Sequence, residues 1–256
     1  MNDFEYQLCV KIHKHRYVKR LAEYPCFKAN RGEINQTTFR DYICDDRTKA
    51  RLLKGVEVGR YCVHDVLSQG QREWFDEQSF LIGNERRPLA LQRRIATQRI
   101  TGVDERWRVV ATIVDPLTYF ADSTNSISLT EASSRYRLEY VIAILNSKLI
   151  QWRFKATSTN NNVGTNELDS LPIREINLSD PSETSYYDRI VELVACMFQL
   201  HKDLAAAKTP GDKTLLERQI AATDDEIDRL VYELYGLTEG EIRIVEEATG
   251  GKKIKD

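Results

Sequence analysis

The sequence predicts an α+β chain, a mixed α/β part with strands around one main helix, followed by a C-terminal antiparallel helical hairpin. Three observations carry this. Between Arg135 and Phe154, Leu138, Val141, Ile142, Leu145, Leu149 and Trp152 recur at spacings of three and four, the signature of a helix with one apolar face. Alternation in Ala96-Thr-Gln-Arg-Ile100 and in Arg106-Trp-Arg-Val-Val-Ala-Thr-Ile-Val114 has the two-residue period of strands. Beyond Ser179-Asp-Pro-Ser182 the chain turns helical, with two long apolar stripes joined by Thr209-Pro-Gly-Asp212.

Taken in order, residues 4–22 suggest a helix through Phe4, Leu8, Ile12 and Leu21, and the stretch from Tyr24 to Ile82, punctuated by glycine, reads as short strands and turns. The strands of 89–114 are expected to form a ribbon joined by Thr101-Gly-Val-Asp-Glu105, with Arg106 and Arg108 on one face. Asn125-Ser-Ile-Ser-Leu129 is a further strand, and Thr157–Thr165, with three successive asparagines before Val163-Gly164, is a loop. In the hairpin one stripe runs Tyr187, Ile190, Val194, Met197, His201, Leu204 and the other Leu216, Ile220, Thr223, Ile227, Leu230, Leu234; the two are expected to pack mainly on each other. Thr214-x-x-Glu217 and Thr238-x-x-Glu241 have capping-box spacing, which places helix starts there. The domains expected are therefore 1–178, a hairpin at 179–248 and a disordered tail at 249–256.

A chain of 256 residues, 41% hydrophobic and 30% charged, can bury a core and is too apolar for disorder. No apolar run reaches the roughly 20 residues of a membrane span, and the polar N-terminus lacks the apolar stretch of a signal peptide; a cytoplasmic, prokaryotic setting is the expectation. Cysteines 9, 26, 44, 62 and 196 are odd in number and form no Cys-x-x-Cys pair, so reduced thiols are expected rather than disulfides or a zinc site. His13 and His15 read as ordinary surface residues, and the acids of Thr223-Asp-Asp-Glu-Ile-Asp228 as a solvated helix face.

The net charge of −2 hides an asymmetry: residues 1–175 carry 27 Lys and Arg against 22 Asp and Glu, while residues 176–256 carry 10 against 17. The excess gathers at Arg86, Arg87, Arg93, Arg94, Arg99, Arg106 and Arg108, opposed locally by Glu85, Asp104 and Glu105. Arginine presents a planar fork that suits phosphate and guanine, which makes this stretch a candidate nucleic-acid footprint; a solvated ribbon balanced by acids elsewhere is the plain alternative. Lys155 and Asn160, Asn161 and Asn162 join the list, since side-chain amides can pair with adenine or phosphate, and Gly164 permits close backbone approach. Catalytic signatures are missing: no Gly-x-Gly loop follows a strand, no Gly-x-x-x-x-Gly-Lys occurs, and no Asn-Pro-Pro-Tyr or Asp-Pro-Pro-Tyr is present to hold a flipped adenine.

Several strings occur in an order that resembles a known family: Arg31-Gly-Glu-Ile-Asn35, Leu53-Lys-Gly-Val-Glu-Val-Gly-Arg-Tyr61, Ala96-Thr-Gln-Arg-Ile100, Val110-Ala-Thr112, Ser123-Thr-Asn-Ser-Ile127, Leu145-Asn-Ser-Lys148, Leu171-Pro-Ile173 and Ile227-Asp-Arg-Leu-Val-Tyr-Glu-Leu-Tyr-Gly-Leu-Thr238. From about Lys28 to Glu246 the chain resembles the TaqI-like C-terminal specificity domain of type IIG restriction–modification enzymes and adenine-specific DNA methyltransferases. The resemblance implies a module that recognises a sequence in double-stranded DNA, does no chemistry itself, and serves a methyltransferase or nuclease subunit. S-adenosylmethionine, and Mg where a nuclease is involved, then belong to that partner, and no cofactor to this chain. The start at Met1 suggests a separate specificity subunit or part of a split gene, with the helical arm as a docking or self-association element. An active methyltransferase or endonuclease, and a scaffold that binds no DNA, are the competing readings. The charged insert 64–87 matches nothing in the resemblance.

Overall fold

The computed structural model describes residues 2–64, 67, 70–83, 88–102, 105–130 and 136–250. Helix α1 (Asp3–Lys14) opens with a capping box in which Asn2 and Glu5 satisfy each other's backbone N–H. It ends earlier than the stripe to Leu21 suggests, and β1 (Val18–Arg20) follows. Then come β2 (Phe27–Arg31), β3 (Ile43–Cys44), β4 (Ala50–Leu53), β5 (Val58–Gly59), β6 (Cys62–Val63), β7 (Glu73–Phe75), α2 (Glu77–Leu81), β8 (Arg94–Gln98), β9 (Ala111–Val114), β10 (Thr118–Phe120) and β11 (Thr124–Leu129). The chain continues through α3 (Leu138–Asn146), α4 (Lys148–Thr157), α5 (Thr165–Asp169), β12 (Pro172–Arg174), α6 (Pro181–Ala206), α7 (Pro210–Leu234) and α8 (Glu239–Thr249).

The central sheet is antiparallel in the order β2-β11-β8-β9, with Ser126 opposite both Asn30 and Ala96, and Ile95 opposite Ile113. Both faces are covered: Ile95 and Ile127 join the main core with α3, while Ala96 packs on Leu53, Val58, Val110 and Phe120. This explains why polar Thr124, Asn125, Ser126 and Ser128 of β11 are buried. A second sheet, β10-β4-β7-β3, has one parallel pair (β10 with β4) and its own small core of Leu52, Phe75, Phe80 and Tyr119. Phe75 and Phe80 come from the insert 64–87, so its described part builds a subcore.

The expected main helix is two helices. Ser147 is extended (ψ 150°), and its hydroxyl accepts from the Ile150 amide to cap α4. Asn146 turns inward and pairs twice with the Ala111 backbone, at 3.0 and 2.9 Å. The second long helix begins at Thr209, whose hydroxyl accepts from the Asp212 amide, with Pro210 at the first helical position. Thr214 lies inside that helix, its hydroxyl donating to the Pro210 carbonyl, whereas Thr238 does open α8 in a capping box with Glu241.

The hairpin stripes Ile190, Val194 and Met197, and Ile227, Leu230 and Leu234, are buried; α6 and α7 pack chiefly on each other, as expected, and their apolar cluster continues into α3 and α4. The hairpin's distal half is open; Leu215 is 58% exposed. The acids of α7 are a solvated face only in part: Asp225 is exposed, but Asp224 and Asp228 turn inward. Asp228 is 2% exposed and accepts from the Lys148 backbone N–H at 2.8 Å. The Lys148 ammonium meets Asp225, Asp228 and Glu246, and Asp224 grips Arg60 at 2.7 and 2.8 Å. The Asn146-Ser-Lys148 and Arg60-Tyr61 strings thus fasten the arm to the strands. From Gly251 onward the expected tail lies outside the described residues, α8 having extended to Thr249.

Candidate nucleic-acid interface

The sequence places seven arginines on one ribbon, and the structure divides them. Arg86 and Arg87 lie outside the described residues. Arg94 is 1% exposed: its guanidinium pairs with Glu33, donates to the Thr118 carbonyl at 3.0 Å and stacks 3.8 Å from the Phe120 ring centroid. Glu33 belongs to the Gly-Glu-Ile-Asn string, which is therefore a counter-ion holder. Arg93, at the same end of β8, is ion-paired to Glu139 at 2.7 Å. Neither residue is a free phosphate ligand.

Arg106 and Arg108 precede β9 in irregular backbone and so do not alternate as strand neighbours. Arg108 is 1% exposed; it donates to Thr101 Oγ1 at 3.1 Å and to the Asn160 carbonyl, with Phe154 beside it. Arg106 is exposed, its Nε bound to the Thr249 carbonyl at 3.1 Å and its guanidinium 4.7 Å from the Trp107 ring centroid. Arg108 therefore supports the loop from beneath, and Arg106 is the one of the two that faces solvent.

The loop 158–164 is clamped along its backbone. Arg108 holds the Asn160 carbonyl, Thr101 N–H donates to the Asn161 carbonyl at 3.0 Å, and Val163 N–H donates to the Arg99 carbonyl at 2.8 Å. The Asn125 amide donates to the Val163 carbonyl at 2.7 Å. The buried asparagine of β11 thus secures the loop from the sheet. Asn160, Asn161 and Asn162 remain exposed, and among the described residues the side chains of Asn161 and Asn162 have no hydrogen-bond partner. Gly164 departs from expectation: it caps α5, its N–H donating to Glu167 at 3.1 Å, and a Cβ there would stand 2.8 Å from that carboxylate. Its close approach is to an acid, which disfavours a phosphate at that point.

Arg99, half-buried, reaches toward the Asp122 carbonyl beside this loop. The Lys155 ammonium is held below its usual range, first by burial and then by the charges of Arg108 and Arg106. Arg99, Arg106, Lys155 and the three asparagines therefore form one patch, with cations crowded together. An open groove of about 1260 Å³ borders it and runs to the helical arm, with Trp107, Arg60 and His201 among its walls. Trp107, stacked 3.8 Å from the Arg60 guanidinium, carries no local sequence signal, and only tertiary structure places it there. Among the described residues no group of three His, Cys, Asp or Glu could hold a metal, no helix is long and apolar enough to cross a membrane, and no disulfide joins any of the five cysteines.

Residues 50–174, just under half of the chain, match the family described as the TaqI-like C-terminal specificity domain. The match starts at the first residue of β4 and ends at the last of β12, enclosing the whole patch. It is narrower than the span of the resemblance, leaving out Gly32–Asn35 and the long helices. No curated protein matches the chain. Among solved structures it is similar to a chain of a type I R-M system (13% identity, TM-score 0.45, covering 97% of this chain and 52% of that one). It is also similar to the type IIL restriction-modification enzyme MmeI in complex with DNA (11%, 0.48, 91% and 36%) and to the HsdS subunit from Thermoanaerobacter tengcongensis (11%, 0.42, 91% and 51%). The chain spans about half or less of the length of these structures. These are distant likenesses.

Proposed function

We propose that the chain is the DNA target-recognition module of a restriction–modification system. The observation that carries this reading is the clamped loop: four backbone contacts fix 158–164 while Asn161 and Asn162 offer unpaired amides to solvent. An amide reads adenine by donating to N7 and accepting from N6 when its position is fixed, and rigid backbone supplies that. Arg99, Arg106 and Lys155 flank it as phosphate contacts that set register and affinity. In this division Arg94 and Arg108 are structural.

On this reading the chain does no chemistry alone. A methyltransferase or nuclease partner supplies S-adenosylmethionine and Mg, and the helical arm is its docking element. Selection from a random duplex pool tests the first part: the parent should enrich one sequence class, and Asn161→Ala with Asn162→Ala should bind without that preference. Equal enrichment by parent and variant would remove the loop from the readout. Incubation of the purified chain with labelled S-adenosylmethionine and DNA should transfer no methyl group, and clear transfer would overturn the non-catalytic assignment.

A further inference from the structure

Between Glu5 and Glu23 the chain holds no acid, but it holds Lys11, Lys14, Arg16, Lys19 and Arg20 together with His13 and His15. The structure folds this run into the end of α1, a short turn and β1, where Lys14, Arg16, Lys19 and Arg20 are exposed. Most of the nearby acids are already engaged, Asp169 of α5 being the exception. Glu241 takes Lys11 at 2.6 Å, Glu175 takes Lys19 at 2.8 Å, and Glu183 takes Arg174 at 2.7 Å. Glu23 accepts from the Arg20 backbone N–H at 2.7 Å. Among the described residues, no ion pair joins Lys14, Arg16 or Arg20 to a carboxylate.

Beneath this surface the positive charge deepens. Arg153 is 8% exposed and has no carboxylate partner among the described residues; its Nε meets His13 Nε2 at 3.2 Å and its other nitrogens bind Ser170. Arg16 and Arg174 lie against the Tyr17 ring, at 4.9 and 4.6 Å from its centroid. His13 is held below its usual value by burial, then by Arg153 and Arg20; His15 by burial, then by Arg174. The C-terminal end of α1 favours Lys14 through the helix dipole, but that effect fades within a turn and does not account for Arg16 or Arg20. Excess charge of one sign with no internal counter-ion is relieved by an external polyanion.

The position suggests which one. The turn at Leu21–Glu23 packs on α5, and α5 begins where the clamped asparagine loop ends. Two groups of cations that make no ion pair among the described residues thus flank one short helix, itself carrying Glu167 and Asp169: Arg106 and Lys155 on the loop side, Arg20 on the other. We propose that Lys14, Arg16 and Arg20 form a second phosphate-contacting surface for duplex DNA, reading no sequence and extending the footprint beyond the recognition loop. This rests on the DNA-binding reading of the loop.

The test is a salt series of fluorescence-anisotropy titrations on the full chain, with a labelled preferred duplex and a mixed-sequence duplex. Each lost phosphate contact flattens the log–log salt slope by about 0.9. Lys14→Ala/Arg16→Ala/Arg20→Ala should therefore flatten it by roughly 2–3 and weaken both duplexes by the same factor. Arg16→Lys/Arg20→Lys, which keeps the charge and tests the surface should the triple variant fold poorly, should retain the parent's slope. A parent that binds duplex, loses slope on Arg106→Ala/Lys155→Ala but keeps it in the triple variant would overturn the second surface and leave the loop standing. A parent that binds no duplex at any salt overturns both. Unchanged DNA slopes with lost retention on polyglutamate would assign the patch to an acidic protein instead and equally overturn the proposal.

Discussion

Arg94 and Arg106 lie twelve residues apart in one basic stretch, yet they do opposite work. Arg94 enters the protein because Glu33 waits inside with the Phe120 ring, so its charge is neutralised and its fork is spent. Arg106 stays at the surface, bound among the described residues by a carbonyl and an indole, with Lys155 and Arg108 adding like charge. What separates a structural arginine from a ligand-ready one is the set of partners that fixes its fork, a carboxylate for Arg94 and a hydroxyl and a carbonyl for Arg108, which linear charge density does not report.

The largest effect should come from breaking the buried side of this comparison. Arg94→Ala leaves Glu33 nearly buried without its cation, and removal of one partner from a buried pair costs about 3–5 kcal/mol. Chemical denaturation should show that loss, whereas Arg93→Ala, which removes an exposed pair, should cost at most about 1 kcal/mol. Equal midpoints for the two variants would erase the distinction drawn between them.

The foot of the arm offers a second buried charge, governed by pH. Asp228 is pushed up to about 7, by burial first and then by Asp224, against the opposing pull of the Lys148 N–H, the Lys148 ammonium and Arg60. Because the folded state holds this proton more tightly than the unfolded chain, its contribution to stability is full below about pH 4 and is lost as pH rises through 7. The loss is on the order of 4 kcal/mol over that whole range and roughly 2–3 kcal/mol of it falls above pH 5, since each tenfold gain in proton affinity is worth about 1.4 kcal/mol. Asp228→Asn can still accept the Lys148 N–H, so its urea midpoint should change less than the parent's between pH 5 and pH 8. Parallel pH profiles would place the proton elsewhere.

How much of this was legible beforehand divides along physical lines. The stripes of α6 and α7 and the strand at Thr124–Leu129 are local periodicities, and local periodicity survives into the fold. The break at Ser147 was written in Asn146-Ser-Lys148, because serine caps helices, but an unbroken apolar stripe across it masked the signal. Partners distant in sequence could not be seen: Glu33 for Arg94 is 61 residues away, and Asp224 for Arg60 is 164. The run at 11–20 was fully visible as charge, yet only the accounting of each neighbouring acid makes it a surface of interest.

On the solvent side, the readout prediction comes next in size. If Asn161 and Asn162 contact base edges, alanine at either should cost about 1–3 kcal/mol on the preferred duplex and little on a mixed-sequence one. Thermal stability should hold, because their side chains bond nothing among the described residues and the clamps use the backbone. A uniform loss on both duplexes would make these residues phosphate contacts instead.

The smallest effect is also the sharpest discriminator between the two kinds of arginine. Arg106→Ala and Lys155→Ala should each flatten the log–log salt slope by about 0.9 on any duplex, with melting temperature little changed. Lys202, exposed on the arm, should leave both observables alone when replaced by alanine. Arg108→Ala separates position from charge. Its guanidinium is buried beneath the loop, so its loss should free the Asn160 carbonyl and relax sequence preference without the slope change that a phosphate contact brings. Were Arg108→Ala to flatten the slope as Arg106→Ala does, the fork would be reaching DNA after all, and burial would have been a poor guide to which arginines the ligand meets.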